Sequence, residues 1–240
     1  CYINYNFLIK YNMTFLTIKK RYLILIFILI LALSAFLALP AVLTSIPNAQ
    51  LTVVIDCGHG GIDGGSVGKT SGKDENFLNL EYGKTLKEIL ESYNVNVVMT
   101  RQDLNGLYDI TSANKKKSDM EKRKEIILKS KANLVISIHM NSFPIRSSRG
   151  AQVFYKKGDV SSKALADSIQ EIFVQTLPKA RKNSEIGDYY ILNCSNIPSV
   201  IVECGFLSNA DEERLLITED YKNTVCGSIF VGILNYLSKN

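Results

Sequence analysis

Leu51–Gly61 reads LTVVIDCGHGG. Leu51–Asp56 is a nearly continuous apolar run of strand length, and a glycine-rich turn carrying His59 follows at once. A strand that is apolar on both faces belongs in the middle of a parallel sheet covered by helices on both sides. Three more runs read the same way: Val95–Thr100 (VNVVMT), Leu134–His139 (LVISIH) and Ser199–Glu203 (SVIVE). Ala151–Tyr155 is a further strand candidate, and Tyr189–Leu192 a short one. Helical periodicity separates them. Glu75–Tyr93 spaces Leu78, Tyr82, Leu86, Ile89 and Leu90 along one face. Met120–Lys131 is a basic amphipathic stretch, Ser161–Leu177 opens on serines suited to capping, Asp211–Ile217 is short, and Tyr221–Leu237 carries a closing apolar stripe. Strands alternating with helices predict an α/β fold: a mostly parallel sheet with helices on both faces. Asp103–Lys117 reads as a surface loop, with Lys115–Lys117 as a solvated charge run.

The chain has 240 residues, room for one domain and a short appendage. With 46% hydrophobic and 21% charged residues it is composed to fold. A net charge of +5 suits an anionic wall or headgroup surface. It is too small to argue for nucleic acid, and no nucleic-acid motif is present. Trp is absent, which disfavours a Trp-lined sugar-binding module. The five cysteines form no C-x-x-C pair and read as buried thiols rather than a disulfide framework. Lys19, Lys20 and Arg21 precede an uncharged apolar run from Tyr22 to Leu43, long enough to cross ~30 Å of hydrocarbon. We expect residues 1–21 to be cytoplasmic, residues 22–43 to be an uncleaved anchor and residues 44–50 a linker, with a catalytic domain over 51–240 outside the membrane. A cleaved signal peptide is the alternative, but no A-x-A site follows the run. Met13 is a candidate start, and the Tyr/Asn-rich stretch before it receives no fold.

Both histidines of the chain stand at the carboxyl end of a buried strand or just past it. His59 follows LTVVID, His139 ends LVISIH, and Glu203 ends SVIVE. Open α/β sheets bind ligands at that edge. A lone histidine at a strand end is more often a hydrogen-bonded structural residue. Two delivered to one edge, beside Gly60 and Asn141, point to a ligand site. Catalytic zinc takes three protein ligands, and two His with one Glu is a known set. The carboxylate could be Glu75, Glu81, Asp56, Asp63 or Glu203. Glu75 opens a helix straight after the glycine-rich loop, but composition does not choose it over Glu203. Glu203 lies among apolar neighbours, where a carboxylate is costly unless paired or functional. The glycines around His59 do not match the phosphate-binding G-x-x-x-x-G-K-[ST] spacing.

Ile55–Gly68 (IDCGHGGIDGGSVG), Glu75–Leu86 (ENFLNLEYGKTL), Thr100–Asp103 (TRQD), Ser137–Ser142 (SIHMNS) and Pro198–Asn209 (PSVIVECGFLSN) together resemble the type-3 zinc-dependent N-acetylmuramoyl-L-alanine amidases, in family order over Leu51–Leu237. The resemblance implies a six-stranded sheet, Zn2+ held by His59, Glu75 and His139, Glu203 as the catalytic carboxylate and Asn141 as a substrate-binding residue. The chain departs from the family at Cys57, where Pro is common, which brings a thiol near the metal. Cys204 follows Glu203, and both thiols are expected to be packing residues. The chain is similar to the sporulation- or germination-specific members, which act on spore cortex on the way to muramic lactam. The expected partners are peptidoglycan and, through the N-terminal segment, the membrane, with no nucleic acid; whether an activating protein is needed stays open. The rival functions are a non-catalytic wall-binding module and another zinc hydrolase of peptidoglycan, a deacetylase or carboxypeptidase. H-E-x-x-H is absent.

Overall fold

Strand β1 (Thr52–Cys57) lies inside the sheet because neither of its faces can meet water: Val53, Val54, Ile55 and Cys57 are fully buried. The structure, a computed structural model, describes residues 50–239. After β1 come α1 (Glu75–Ser92), β2 (Asn96–Met99), α2 (Lys115–Ser130), β3 (Leu134–Asn141) and β4 (Gln152–Tyr155). Then follow α3 (Val160–Thr176), β5 (Glu185–Ile186), α4 (Tyr190–Asn193), β6 (Ser199–Phe206), α5 (Ala210–Leu216) and α6 (Glu219–Lys239). The sheet has six strands in the order β2-β1-β3-β6-β4-β5. All neighbours are parallel except β4 and β6, which run antiparallel. The expected α/β architecture is therefore present.

Strand alternation divides the core in two. Val53, Ile55 and Cys57 of β1, Ile136 and Ile138 of β3, and Val200, Val202 and Cys204 of β6 pack on one face with α1, α3 and α6. Val54, Val135 and Ile201 point to the other face and meet Ile127 of α2 and Ile191 and Leu192 of α4. Asp56, Ser137, His139 and Glu203 share the parity of this second face. Chemistry thus collects on the α2–α4 side of the sheet, and the first face is given over to packing.

Four readings of elements change. Tyr189–Leu192 is not a strand: Tyr190–Asn193 is a helical turn that buries Ile191 and Leu192 against the sheet. The short edge strand is Glu185–Ile186 instead. Lys115–Lys117 belongs to the first turn of α2 rather than to a loop, capped by the Asn114 side chain, which accepts from the Lys117 amide. Helix α3 is capped by Asp159, not by serine; its carboxylate accepts from the Ser162 amide. The expected anchor at 22–43 lies outside the described residues; among those residues no helix is long and apolar enough to cross a membrane.

Candidate active site

His59 enters the site because β1 stops at Cys57 and the chain turns sharply. The Gly58 amide bonds to the Ile138 carbonyl at 3.1 Å. His59 takes φ 62°, a left-handed conformation that costs an L-residue roughly 1–2 kcal/mol. Such strain persists only where the surroundings fix it. His139 sits on β3 directly beside Glu203 of β6 in the parallel register, and the pairing slips just beyond, between His139 and Asn141. Glu75 is the first residue of α1, where a carboxylate suits the helix dipole.

These segments bring three donor atoms together. Glu75 Oε1 lies 3.1 Å from His59 Nε2 and 3.0 Å from His139 Nδ1. Its Oε2 accepts the Ser66 amide at 2.9 Å, and Oε1 also accepts the Met140 amide at 3.2 Å. His59, Glu75 and His139 can each offer an atom with all three within 4.8 Å of one another. Zinc bonds of about 2.0–2.1 Å imply edges of roughly 3.3 Å between tetrahedral ligands, so the donor set and its spacing fit the ion. Burial opposes charge on both sides of the contact. The facing imidazoles nonetheless hold the Glu75 carboxyl far below the usual range, and Glu75 raises His59 above its ordinary value.

Two glycines make room for these side chains. A Cβ on Gly58 would stand 2.1 Å from the His139 ring. One on Gly65, at φ 71°, would stand 2.6 Å from Glu75 Oε2 and 2.8 Å from His59 Cδ2. The space spared by the missing Cβ atoms at both positions is occupied by the would-be ligands themselves, not by an incoming molecule.

Of the remaining carboxylates, Asp63 Oδ1 is 2.9 Å from His59 Nδ1. The contact is too poorly aligned for a hydrogen bond and leaves Nδ1 buried without such a partner. Asp56 lines the same cleft, but its oxygens are taken up by other partners: it accepts from Thr100 Oγ1, Ser137 Oγ and Arg123. Glu81 pairs with Lys84 at 3.7 Å on the outer side of α1. Glu203 is buried, with 8% exposed, and its Oε2 has no hydrogen-bond partner among the described residues. Burial pushes its carboxyl up to about 7, against the pull of the nearby histidines.

His59, Glu75, His139, Asn141 and Glu203 all line one cleft of about 870 Å³. Its walls also carry Lys115 and Lys116 from the first turn of α2, and Tyr189 and Tyr190 at the start of α4. The lysines thus face the cleft rather than only bulk water. The thiols do not. Cys57 and Cys204 have the opposite strand parity and belong to the α1–α6 core; Cys57 Sγ lies against Gly83. The structure therefore corrects the expected closeness of the Cys57 thiol to the candidate metal ligands: it packs on the opposite face of the sheet. Arg101 and Arg123 were missed as site residues. Arg101 lies within the TRQD segment, and Arg123 interrupts the Met120–Ile127 stripe of α2, where a charge signals a buried partner.

Residues 53–235 match a family profile described as N-acetylmuramoyl-L-alanine amidase. The germination-specific N-acetylmuramoyl-L-alanine amidase of Bacillus subtilis (strain 168) is 34% identical over 200 residues, 81% of this chain and 83% of that protein. The CwlD amidase of Clostridioides difficile, solved in complex with the GerS lipoprotein, is 38% identical with a TM-score of 0.76, covering 80% of this chain and all of that one. CwlV, an N-acetylmuramoyl-L-alanine amidase of Bacillus (Paenibacillus) polymyxa var. colistinus, is 31% identical with a TM-score of 0.70 over 80% of this chain.

Proposed function

The chain belongs to the N-acetylmuramoyl-L-alanine amidase family, and from that membership we propose a zinc-dependent mechanism in which His59, Glu75 and His139 hold the ion and Glu203 carries the proton. The enzyme is an amidase of peptidoglycan and acts outside the cytoplasm. One observation carries the mechanistic reading: a carboxylate meets two imidazoles at 3.0–3.1 Å, in the same cleft as a buried carboxylate with a free oxygen.

The bond cut joins the lactyl group of N-acetylmuramic acid to L-alanine. It is an unactivated amide, so it needs a strong nucleophile, a polarised carbonyl and a proton for the departing amine. Zinc in this donor set supplies Lewis-acid polarisation and a water nucleophile available near neutral pH. Glu203 supports the rest. With its pKa near 7, Oε2 can take the proton from attacking water and deliver it to the L-alanine nitrogen. The His139–Glu203 register keeps the proton carrier one strand away from a metal ligand. Asn141, on the rim of the cleft, is proposed to bind the substrate.

The likeness to a germination-specific amidase supports spore cortex as the substrate and muramic lactam formation as the outcome. The likeness to an amidase solved with a lipoprotein supports a protein partner. The test is digestion of purified cortex and vegetative wall by the full-length chain, with zinc measured and products identified by mass spectrometry. Free peptide stems from cortex are expected, and Glu203→Gln lowers their release at least ~10²-fold while keeping zinc. Release of acetate or of terminal D-amino acids, or full activity in Glu203→Gln, refutes the reading.

A further inference from the structure

His59 must hold a backbone conformation that glycine takes freely and histidine does not. The main chain around it is gripped by two buried guanidinium groups. Arg123, 1% exposed, donates through Nη1 to the Cys57 carbonyl at 2.7 Å and through Nη2 to the His59 carbonyl at 2.5 Å. Arg101, 3% exposed, donates through Nε to the Cys57 carbonyl and through Nη2 to the Gly58 carbonyl, both at 2.9 Å. Three successive carbonyls, 57 to 59, are thus accepted into one charged frame.

The frame reaches the second ligand too. Arg101 Nη2 also donates to the Asn76 carbonyl at 2.7 Å, in the turn of α1 that carries Glu75. One planar fork therefore ties the His59 turn to the start of the Glu75 helix. Arg123 is itself held by Asp56 Oδ1 at 2.7 Å and Asp119 Oδ2 at 2.6 Å, which fixes it to both β1 and α2. Lysine cannot reproduce this pattern, since it lacks the rigid multi-donor geometry.

Neither guanidinium draws in a dication by charge: Arg123 is neutralised by Asp56 and Asp119, and Arg101, which makes no ion pair among the described residues, repels an incoming ion. Their value must be geometric. We infer that Arg101 and Arg123 are positioning residues that set the metal affinity of the His59–Glu75–His139 site by fixing the His59 turn against the Glu75 helix; the inference rests on the metal reading of that site.

The test measures zinc affinity of the full-length chain by competition with a chromophoric chelator, together with the visible spectrum of the cobalt-substituted protein. Arg101→Lys and Arg123→Lys should each weaken zinc binding tenfold or more, the range of outer-layer metal residues, and alter the cobalt bands. Gln170→Ala is the control: it removes a buried hydrogen-bonding side chain on α3, bonded to the Val153 amide and the Arg181 carbonyl, and should lower stability while leaving both readouts unchanged. Arg101→Met discriminates geometry from charge, because it removes the repulsion along with the fork and is expected to weaken binding nonetheless. If Arg123→Lys fails to fold, the two Arg101 variants and Asp119→Ala, which frees Arg123 Nε, decide the matter. Folded clamp variants that bind zinc within twofold of the parent, an equal loss in Gln170→Ala, or tighter binding in Arg101→Met overturn the inference. A parent chain that takes up no zinc overturns the metal reading itself.

Discussion

Asp56, one of the five carboxylates that could have completed the ligand set, stands at the end of LTVVID. Its carboxylate instead accepts from Thr100, Ser137 and Arg123, and although burial opposes the charge, these partners hold the carboxyl down at about 2. The folded-state pKa lies below the unfolded value of about 3.9, so the stabilisation is complete above pH ~4 and is lost as pH falls through ~2. It amounts to about 2–3 kcal/mol. Denaturant midpoints between pH 5 and pH 2 should fall accordingly, and Asp56→Asn should flatten that slope while costing about 3 kcal/mol at pH 7 through the exposed deficit at Arg123. An unchanged slope in the variant would assign the pH dependence elsewhere. Glu75 was harder to read: its place beside the histidines depends on a helix docking its first turn onto the sheet edge, which no periodicity encodes, so only the family segments singled it out. The two histidines and Glu203 were readable because strand ends carry their own signal: an apolar run followed by a polar group.

Elements were legible where burial is one-sided or complete, and misread where a short segment served a local need. Tyr190–Asn193 buries adjacent residues in a single turn, too brief to display a period. Helix α5 was read only as a short segment, and the structure adds its cap. The Asn209 side chain accepts from the Asp211 and Glu212 amides and donates to the Arg146 and Ser148 carbonyls. Asn209→Ala should therefore lower unfolding free energy by about 1–2 kcal/mol in chemical denaturation. The same helix presents Glu213, 1% exposed, which accepts the Thr70 and Ser71 amides and the Ser71 hydroxyl. Glu213→Ala leaves those donors without their acceptor. Faster proteolysis within residues 66–73, with α1 still intact by circular dichroism, is the expected result; cleavage at the parental rate would show that the loop is held by other contacts.

Across the described residues, the two faces of the sheet divide the labour, and the runs apolar on both faces in β1, β3 and β6 announced a covered sheet but not that division. What the sequence could not display was which helices cover which face, since this depends on crossovers between strands far apart in the chain. The division bears on the thiols. Cys57, Cys194, Cys204 and Cys226 are buried and free, and burial raises each thiol above its ordinary pKa. All four should resist alkylation in the native protein and react only as denaturant unfolds it, read site by site by mass spectrometry. Modification of Cys57 or Cys204 in the native state would contradict the packing face assigned to them.

The donor atoms facing one another in the cleft come from distant parts of the chain: Glu75 and His139 are 64 positions apart. An unfolded chain offers no such constellation, only scattered histidines and carboxylates of ordinary weak affinity. Metal selection is therefore a consequence of folding rather than a step before it. On the proposed metal reading, the ion would be drawn from the pool of the compartment where the sheet closes, and the composition of that pool, as much as the ligands, would decide which metal it is.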